Sequence, residues 1–197
     1  MKGQADHFFR KAKAEGYEAR SIYKLSAVDA RHKILRRSDR VLDLGASPGS
    51  WAQYALERIG LEGLLVAVDI KPANKSMPAN AHFVLADCLD PGAVEKLLPH
   101  GPFDVLLSDM APRTTGVPFS DHCNSIELGR AALTLAAALL RPGGTAFVKL
   151  FEGEDFPAYR TEFAARFERA TIEKPAASRK DSVETFLLGK GHRAGTR

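Results

Sequence analysis

Lys149 interrupts the apolar run Ala146-Phe147-Val148-Lys149-Leu150-Phe151. An ammonium inside a buried strand is costly unless its charge is paired or its proton is displaced. A lysine in that setting can serve as a general base. The alternative is a structural lysine near a strand end, its head snorkelling to water. Asp109 follows a second apolar run, Phe103-Asp104-Val105-Leu106-Leu107-Ser108, and leads into Met110-Ala111-Pro112. Glu184 lies in a third, Val183-Glu184-Thr185-Phe186-Leu187-Leu188, where taken alone it reads as a solvent-facing position.

A second constellation surrounds the turn Asp43-Leu44-Gly45-Ala46-Ser47-Pro48-Gly49-Ser50-Trp51. An apolar strand ends there, two glycines turn the chain, and a helical pattern begins. Open α/β sheets hold nucleotide-like ligands at such a point. The spacing is Gly-x-x-x-Gly. It lacks both the Gly-x-Gly-x-x-Gly of dinucleotide sites and the Gly-Lys-Ser/Thr of a P-loop. An adenosine ligand without phosphates, such as S-adenosylmethionine, suits it better. Asp69 ends the next run, Leu64-Leu65-Val66-Ala67-Val68, where an acid can accept from ribose hydroxyls or cap a turn. Asp87 follows His82-Phe83-Val84-Leu85 and can accept from an adenine amino group or cap the chain after it. Trp51 can pack on a ligand or staple its helix to the sheet.

The elements that must position these residues alternate. Strands are expected at 40–44, 64–69, 82–85, 103–108, 145–150, 170–174 and 183–189. Helices are expected at 6–15, 21–32, 50–59, 91–98, 122–140 and 155–168. Gly16 ends the first helix, Ser21 caps the second and Asp121 caps the fifth, which Arg141-Pro142-Gly143-Gly144 stops. Alternation predicts a mostly parallel seven-stranded α/β sheet with helices on both faces. The short link between the last two strands predicts an antiparallel pair with an antiparallel edge strand. That ending suits a class I methyltransferase sheet better than a dinucleotide-binding Rossmann sheet.

The 197 residues are 45% hydrophobic and 26% charged, which fits one domain with a sizeable core. Cys88 and Cys123 are too few for a disulfide framework or a zinc site. The start of the chain has no signal-peptide core, and no apolar run is long enough to cross a bilayer. A cytoplasmic location is therefore expected. Residues 1–40 carry a net charge of +6, whereas the remainder carries −2. A second basic group comprises Lys174, Arg179, Lys180, Lys190, Arg193 and Arg197. Such surfaces neutralise nucleic-acid phosphates, although a solvated basic face is the plainer reading.

With these residues in place, the chain resembles the FtsJ-type RNA 2′-O-ribose methyltransferases, most closely the short bacterial members that modify large-subunit ribosomal RNA. The likeness spans about Lys11 to Lys190. It is carried by Ser21-Ile22-Tyr23-Lys24-Leu25, the glycine turn, Ser108 to Pro112, Gly143 to Lys149, and Lys174-Pro175-Ala176-Ala177-Ser178-Arg179. The resemblance implies a Rossmann-like class I fold. It also implies a Lys-Asp-Lys-Glu tetrad on Lys24, Asp109, Lys149 and Glu184. S-adenosylmethionine is implied as methyl donor, leaving S-adenosylhomocysteine, with no metal. Its contacts are implied at Gly49, Trp51, Asp69, Asp87 and Asp109, with Gly45 opening the turn. The chain departs from the family pattern at Arg113 (usually Asn), Thr115 (often Ser) and Ser50 (usually Gly).

Lys149 is expected to act as base beside Lys24, with Asp109 and Glu184 aiming it. Alternatively, Lys149 stays charged and Asp109 takes the proton. The expected target is an A-loop uridine within the large ribosomal subunit, modified by a monomer without membrane contact. Transfer RNA or an mRNA cap is the alternative substrate, and a non-catalytic ribosome-assembly factor the alternative class. The domain is expected to comprise a basic helical segment, 1–39, which flanks the site together with Lys174 to Lys180, and a catalytic core, 40–190.

Overall fold

The computed structural model describes residues 2–73, 76–175, 177 and 182–193, the side chains of residues 2–6 excepted. Two helices, α1 (Lys2–Ala14) and α2 (Ile22–His32), precede the sheet. There follow β1 (Arg40–Leu44), α3 (Ser50–Ile59), β2 (Leu64–Asp69), β3 (Ala81–Leu85), α4 (Ala93–Leu97) and β4 (Phe103–Ser108). The chain continues with α5 (Pro118–Leu139), β5 (Leu140–Phe151), α6 (Phe156–Ala165), β6 (Phe167–Glu173) and β7 (Glu184–His192).

The strand order is β3-β2-β1-β4-β5-β7-β6. β3, β2, β1, β4 and β5 pair in parallel, whereas β7 is antiparallel to both β5 and β6. The seven strands and the hairpin-like final pair agree with expectation. The antiparallel strand, however, is not at the edge. The crossover through α6 leaves a gap one strand wide beside β5, and β7 turns back into that gap. β6 therefore forms the edge.

Successive side chains of a strand point to opposite faces. Leu42, Leu44, Leu106, Ala146, Val148 and Leu187 pack with α4, α5 and α6. Val41, Val105, Leu107, Phe147, Phe186 and Leu188 pack with α2 and α3. Lys149 is in phase with Phe147, Glu184 with Phe186, Asp109 with Leu107 and Asp43 with Val41. Period two thus carries all four to the face covered by α2 and α3, near the strand ends where β1 and β4 stop.

Three local expectations need correction. Helix α5 starts at Pro118, not at residue 122, so Asp121 is not its cap. Proline suits the first helical position, because its fixed φ fits and its missing N–H would be unpaired there anyway. Asp121 lies in the first turn and accepts from Thr115 N at 2.7 Å and Gly116 N at 3.3 Å. Ser21 precedes α2 but makes no capping bond; its hydroxyl meets Ser50 Oγ at 2.8 Å. Strand β5 begins at Leu140, where Phe103 pairs with it, and a register shift before Val105 absorbs Arg141–Gly144.

Candidate active site

Four charged side chains meet at the mouth of the sheet. Lys149 Nζ donates to the main-chain carbonyl of Asp109 at 2.7 Å and sits 3.0 Å from Asp109 Oδ1. The Oδ1 contact is an ion pair off the hydrogen-bonding axis, which leaves that buried oxygen with acceptor capacity. Glu184 Oε1 lies 4.0 Å from the same Nζ, and Glu184 Oε2 accepts from Lys24 Nζ at 2.6 Å. The order is Asp109, Lys149, Glu184, Lys24, with alternating charge. Both lysines are buried, at 6% and 8% exposure, so pairing is what makes their burial tolerable. Burial alone would raise the Glu184 carboxyl. Lys24 first, then Lys149 and the Ser182 hydroxyl, outweigh it and hold the group below its ordinary range.

Lys24 comes from outside the sheet, so α2 must be docked firmly. Its start is tied to the glycine turn: Trp51 Nε1 donates to the Ser21 carbonyl at 2.9 Å, beside the Ser21–Ser50 contact. Its far end is tied to α3 through buried Asp29. Asp29 accepts from Tyr54 Oη at 2.8 Å and from Leu35 N at 2.9 Å, and pairs with Arg58 at 3.1 Å. Sequence reading missed Asp29, because its three partners, Leu35, Tyr54 and Arg58, are scattered along the chain and share no motif.

The turn places the remaining residues. Gly45 has φ +74°, and a Cβ there would lie 2.8–3.0 Å from Met110, so this glycine permits a close approach. Gly49 has φ +117° and faces open space. Asp69 accepts from Ser47 N at 2.9 Å and from Lys71 N at 2.8 Å, which braces the turn. Each of its oxygens keeps a second lone pair. Asp87 accepts from Leu89 N at 2.9 Å through one oxygen, and its other oxygen has no partner among the described residues. The capping readings of both acids thus hold, and both retain capacity for a ligand. Asp43 is fully buried, and neither carboxylate oxygen has a hydrogen-bond partner among the described residues. Burial, followed by the charges of Asp109 and Asp69, pushes its carboxyl well above the usual range.

Trp51 does not present its ring to this space. The indole is 2% exposed and stacks on Phe147 at 5.5 Å between centroids, and Phe147 stacks on Phe186 at 4.9 Å. It staples α3 to the core. Only its main-chain N–H, in a first turn that lacks intrahelical acceptors, remains for a ligand. Asp69 and Asp87, together with the spare acceptor capacity of Asp109, suit a ligand with hydroxyl and amine donors and a positive charge. They repel a phosphate. The residues therefore fit a cationic nucleoside such as S-adenosylmethionine.

Beside the tetrad opens a cavity of about 490 Å³, lined by Arg20, Lys24, Thr114, His122, Glu152 and Glu184 among others. His122 forms part of its wall, a position not anticipated from sequence. Its Nδ1 donates to the Phe151 carbonyl at 3.0 Å, and its Nε2 accepts from Asp155 N at 2.9 Å. Both ring nitrogens are thereby committed to the backbone at and just beyond the end of β5. Arg113 is exposed on the loop before α5, next to Thr114 of this cavity. Phe119 is 66% exposed, whereas Tyr23 is buried and Tyr17 is tied to Glu57. Ser178, Arg179, Lys180 and Arg197 lie outside the described residues. Among the described residues, no group of three or more His, Cys, Asp or Glu side chains is arranged to hold a metal ion. No helix among them is long and apolar enough to cross a membrane.

Comparison with known proteins places this geometry. A family model described as FtsJ-like methyltransferase matches residues 17–192. Ribosomal RNA large subunit methyltransferase E of Syntrophobacter fumaroxidans is 45% identical over 185 residues, covering 93% of this chain and 94% of its own. The protein of the same name from Nitratidesulfovibrio vulgaris is 44% identical over 195 residues, covering 98% and 97%. A crystal structure of a ribosomal RNA methyltransferase from Plasmodium falciparum superposes with a TM-score of 0.78 at 26% identity, over 91% of this chain and all of that one. The tetrad, the glycine turn and the sheet order all lie within the matched residues, and this chain belongs to the FtsJ-like methyltransferase family.

Proposed function

We propose that this chain methylates a ribose 2′-hydroxyl of RNA, with S-adenosylmethionine as donor, and that its target is an A-loop uridine of large-subunit ribosomal RNA. The observation that carries the reading is the alternating Asp109–Lys149–Glu184–Lys24 cluster between an open cavity and an acid-rimmed glycine turn. The names of the most similar relatives support ribosomal RNA as substrate. Gly45, Gly49, the Trp51 main chain, Asp69, Asp87 and Asp109 hold the donor. Residues 1–39 and the core 40–190 work as one domain, a cytoplasmic monomer in which α2 supplies Lys24.

When bound, S-adenosylmethionine supplies a methyl group that is already electrophilic. The protein's task is to orient and deprotonate a weakly acidic hydroxyl. The cavity beside Glu184 admits the ribose, and Lys24 with Glu184 fixes its approach. In this route Lys149 first gives one ammonium proton to solvent through the cavity, and as the new C–O bond forms the hydroxyl proton passes to the neutral Nζ. Alignment of the attacking oxygen should supply much of the acceleration. Base assistance of this kind is typically worth about 10²–10⁴-fold.

One observation favours a second route. Lys149 Nζ is bracketed by Asp109 and Glu184, and Asp109 Oδ1 has acceptor capacity to spare. In that route Lys149 remains an ammonium that positions the hydroxyl, and Asp109 receives the proton. A pH–rate profile of Lys149→Arg separates the two. Near-complete loss at every pH supports the base role, and substantial retained activity supports Asp109.

The founding test supplies methyl-labelled donor and large subunits from cells lacking the activity, then analyses ribonucleosides by mass spectrometry. Labelled 2′-O-methyluridine that disappears with Lys149→Ala is the expected result. Label on transfer RNA instead would move the substrate. Donor binding without transfer to either RNA would favour an assembly factor.

A further inference from the structure

A second basic surface lies at the opposite end of the sheet. Residues Lys33 to Arg40 follow α2 and lead into the start of β1, not toward its end, so this part of the basic segment does not flank the tetrad. It meets the starts of β4 and β5 and the end of β7, where a cavity of about 300 Å³ is lined by Lys33, Arg36, Arg141, Arg169 and Lys190. The acids at its wall are Asp39, Asp104 and Glu168. Arg141 is committed to Asp104, and the Arg36 main-chain N–H to Asp39 at 2.8 Å. Lys33, Arg36, Arg169 and Lys190 have no carboxylate within 4.0 Å among the described residues.

Two features of this arrangement are unfavourable in the isolated protein. Arg169 and Lys190 stand directly opposite each other across the β6–β7 ladder, and like charges in that position destabilise a sheet. Lys190 answers by turning its ammonium onto the His32 carbonyl. Burial first, then Arg169 and Arg36, lower its tendency to hold a proton. In addition, Lys33 caps α2 at φ 53° and ψ 57°, a left-handed conformation that glycine would adopt at lower cost. Its long cationic side chain borders the cleft instead. An anion seated among these groups would relieve the repulsion.

We infer that the cleft formed by Lys33, Arg36, Arg169 and Lys190 is a second phosphate site, occupied by the RNA backbone at the pole opposite the reacting ribose. The inference rests on the RNA reading above. Thr145 at the cleft and Lys149 at the tetrad are four residues apart on β5, about 13 Å along the strand. Lys190 and Glu184 are six apart on β7, about 20 Å. A hairpin with a stem of only two or three base pairs, about 7–10 Å long, does not span that separation. A folded RNA that surrounds the enzyme does.

The test compares wild type, Lys33→Gln/Arg169→Gln and, as an exposed control outside both sites, Arg160→Gln. Binding is measured against large-subunit RNA and against a short stem-loop carrying the modified nucleotide, between about 50 and 200 mM salt. The expected result is weaker binding of the large RNA by the double variant only. Its log–log salt slope should fall by about 0.7–0.9 for each lost contact. Stem-loop affinity, donor affinity and turnover at saturating RNA should be unchanged. Unaltered affinity and slope for the large RNA would overturn the proposal. Equal weakening on the stem-loop would do so too, because the effect would not be distal. Inorganic phosphate is the separate arm. Thermal stabilisation by phosphate that the double variant loses, with RNA binding untouched, would also overturn it in favour of a free-anion site. If wild type binds neither RNA, the RNA reading itself fails, and that outcome is distinct from all the others.

Discussion

Glu184 touches both lysines of the tetrad, so its removal should disturb more than its own charge. Glu184→Gln leaves Lys24 buried without a counter-charge and should cost about 1.5–3 kcal/mol, the range for hydrogen bonds to charged groups. The pH dependence follows from its depressed carboxyl. A group held below its unfolded pKa stabilises the fold above that value and loses the contribution as pH falls through the folded one. The stability gap between wild type and Glu184→Gln should therefore be constant from about pH 6 upward and close below about pH 4, in chemical denaturation. Asp43 has the opposite sign. Its carboxyl is raised by burial and by Asp109 and Asp69, so its protonated form suits the fold and ionisation opposes it as pH rises. Asp43→Asn should match wild type near pH 4 and exceed it by about 1–3 kcal/mol at pH 8. A melting-temperature series across that range would show the difference growing with pH. At this scale a lysine in an apolar run and acids at strand ends stand out by type and place, so Lys149, Asp109 and Asp69 could be singled out from sequence, whereas Lys24 and Glu184 entered only through the family resemblance. Asp29 and His122 do not stand out, because burial and partners, not spacing, give them their roles.

The elements that matter most are the two helices holding Lys24 and the turn in register. Trp51 joins them, with its ring in the aromatic stack and its Nε1–H on the Ser21 carbonyl. Trp51→Phe should keep most of the stacking and cost about 1 kcal/mol for the lost bond. Trp51→Ala should cost about 3–5 kcal/mol. Turnover should fall further than donor affinity in both, because loosening α2 displaces Lys24 while Asp69 still braces the turn. Single-turnover kinetics together with calorimetric donor binding would separate the two effects. Strands β1, β2 and β4 were read from sequence to the residue, since continuous apolar runs bounded by turn residues leave little choice. The start of α5 was not. Asp121 reads as a charged cap, but the helix begins at Pro118, and proline at the first helical position is equally a start signal. The opening of β5 was hidden because Arg141-Pro142-Gly143-Gly144 reads as a pure helix stop.

For the whole molecule, alternation alone specified a layered sheet, and the family motifs specified which end carries chemistry. What sequence could not convey was polarity. A basic segment that precedes β1 seemed to flank the site, but the chain needs one pass from the end of α2 to the start of β1. Arg20 and Lys24 therefore sit at one pole, while Lys33, Arg36 and Arg40 sit at the other. The same topology has a consequence for synthesis. Lys24 and Glu184 are 160 residues apart, and β7, which carries Glu184, fills the gap between β5 and β6. While residues 184–192 are still being made, β5 and β6 each expose an unpaired edge, the kind of surface on which nascent chains associate wrongly. Arrival of the last strand closes both edges and delivers the carboxylate that neutralises Lys24. On the proposed mechanism, methyl transfer is expected only of chains that have finished folding, and a chain stalled short of β7 would be adhesive as well.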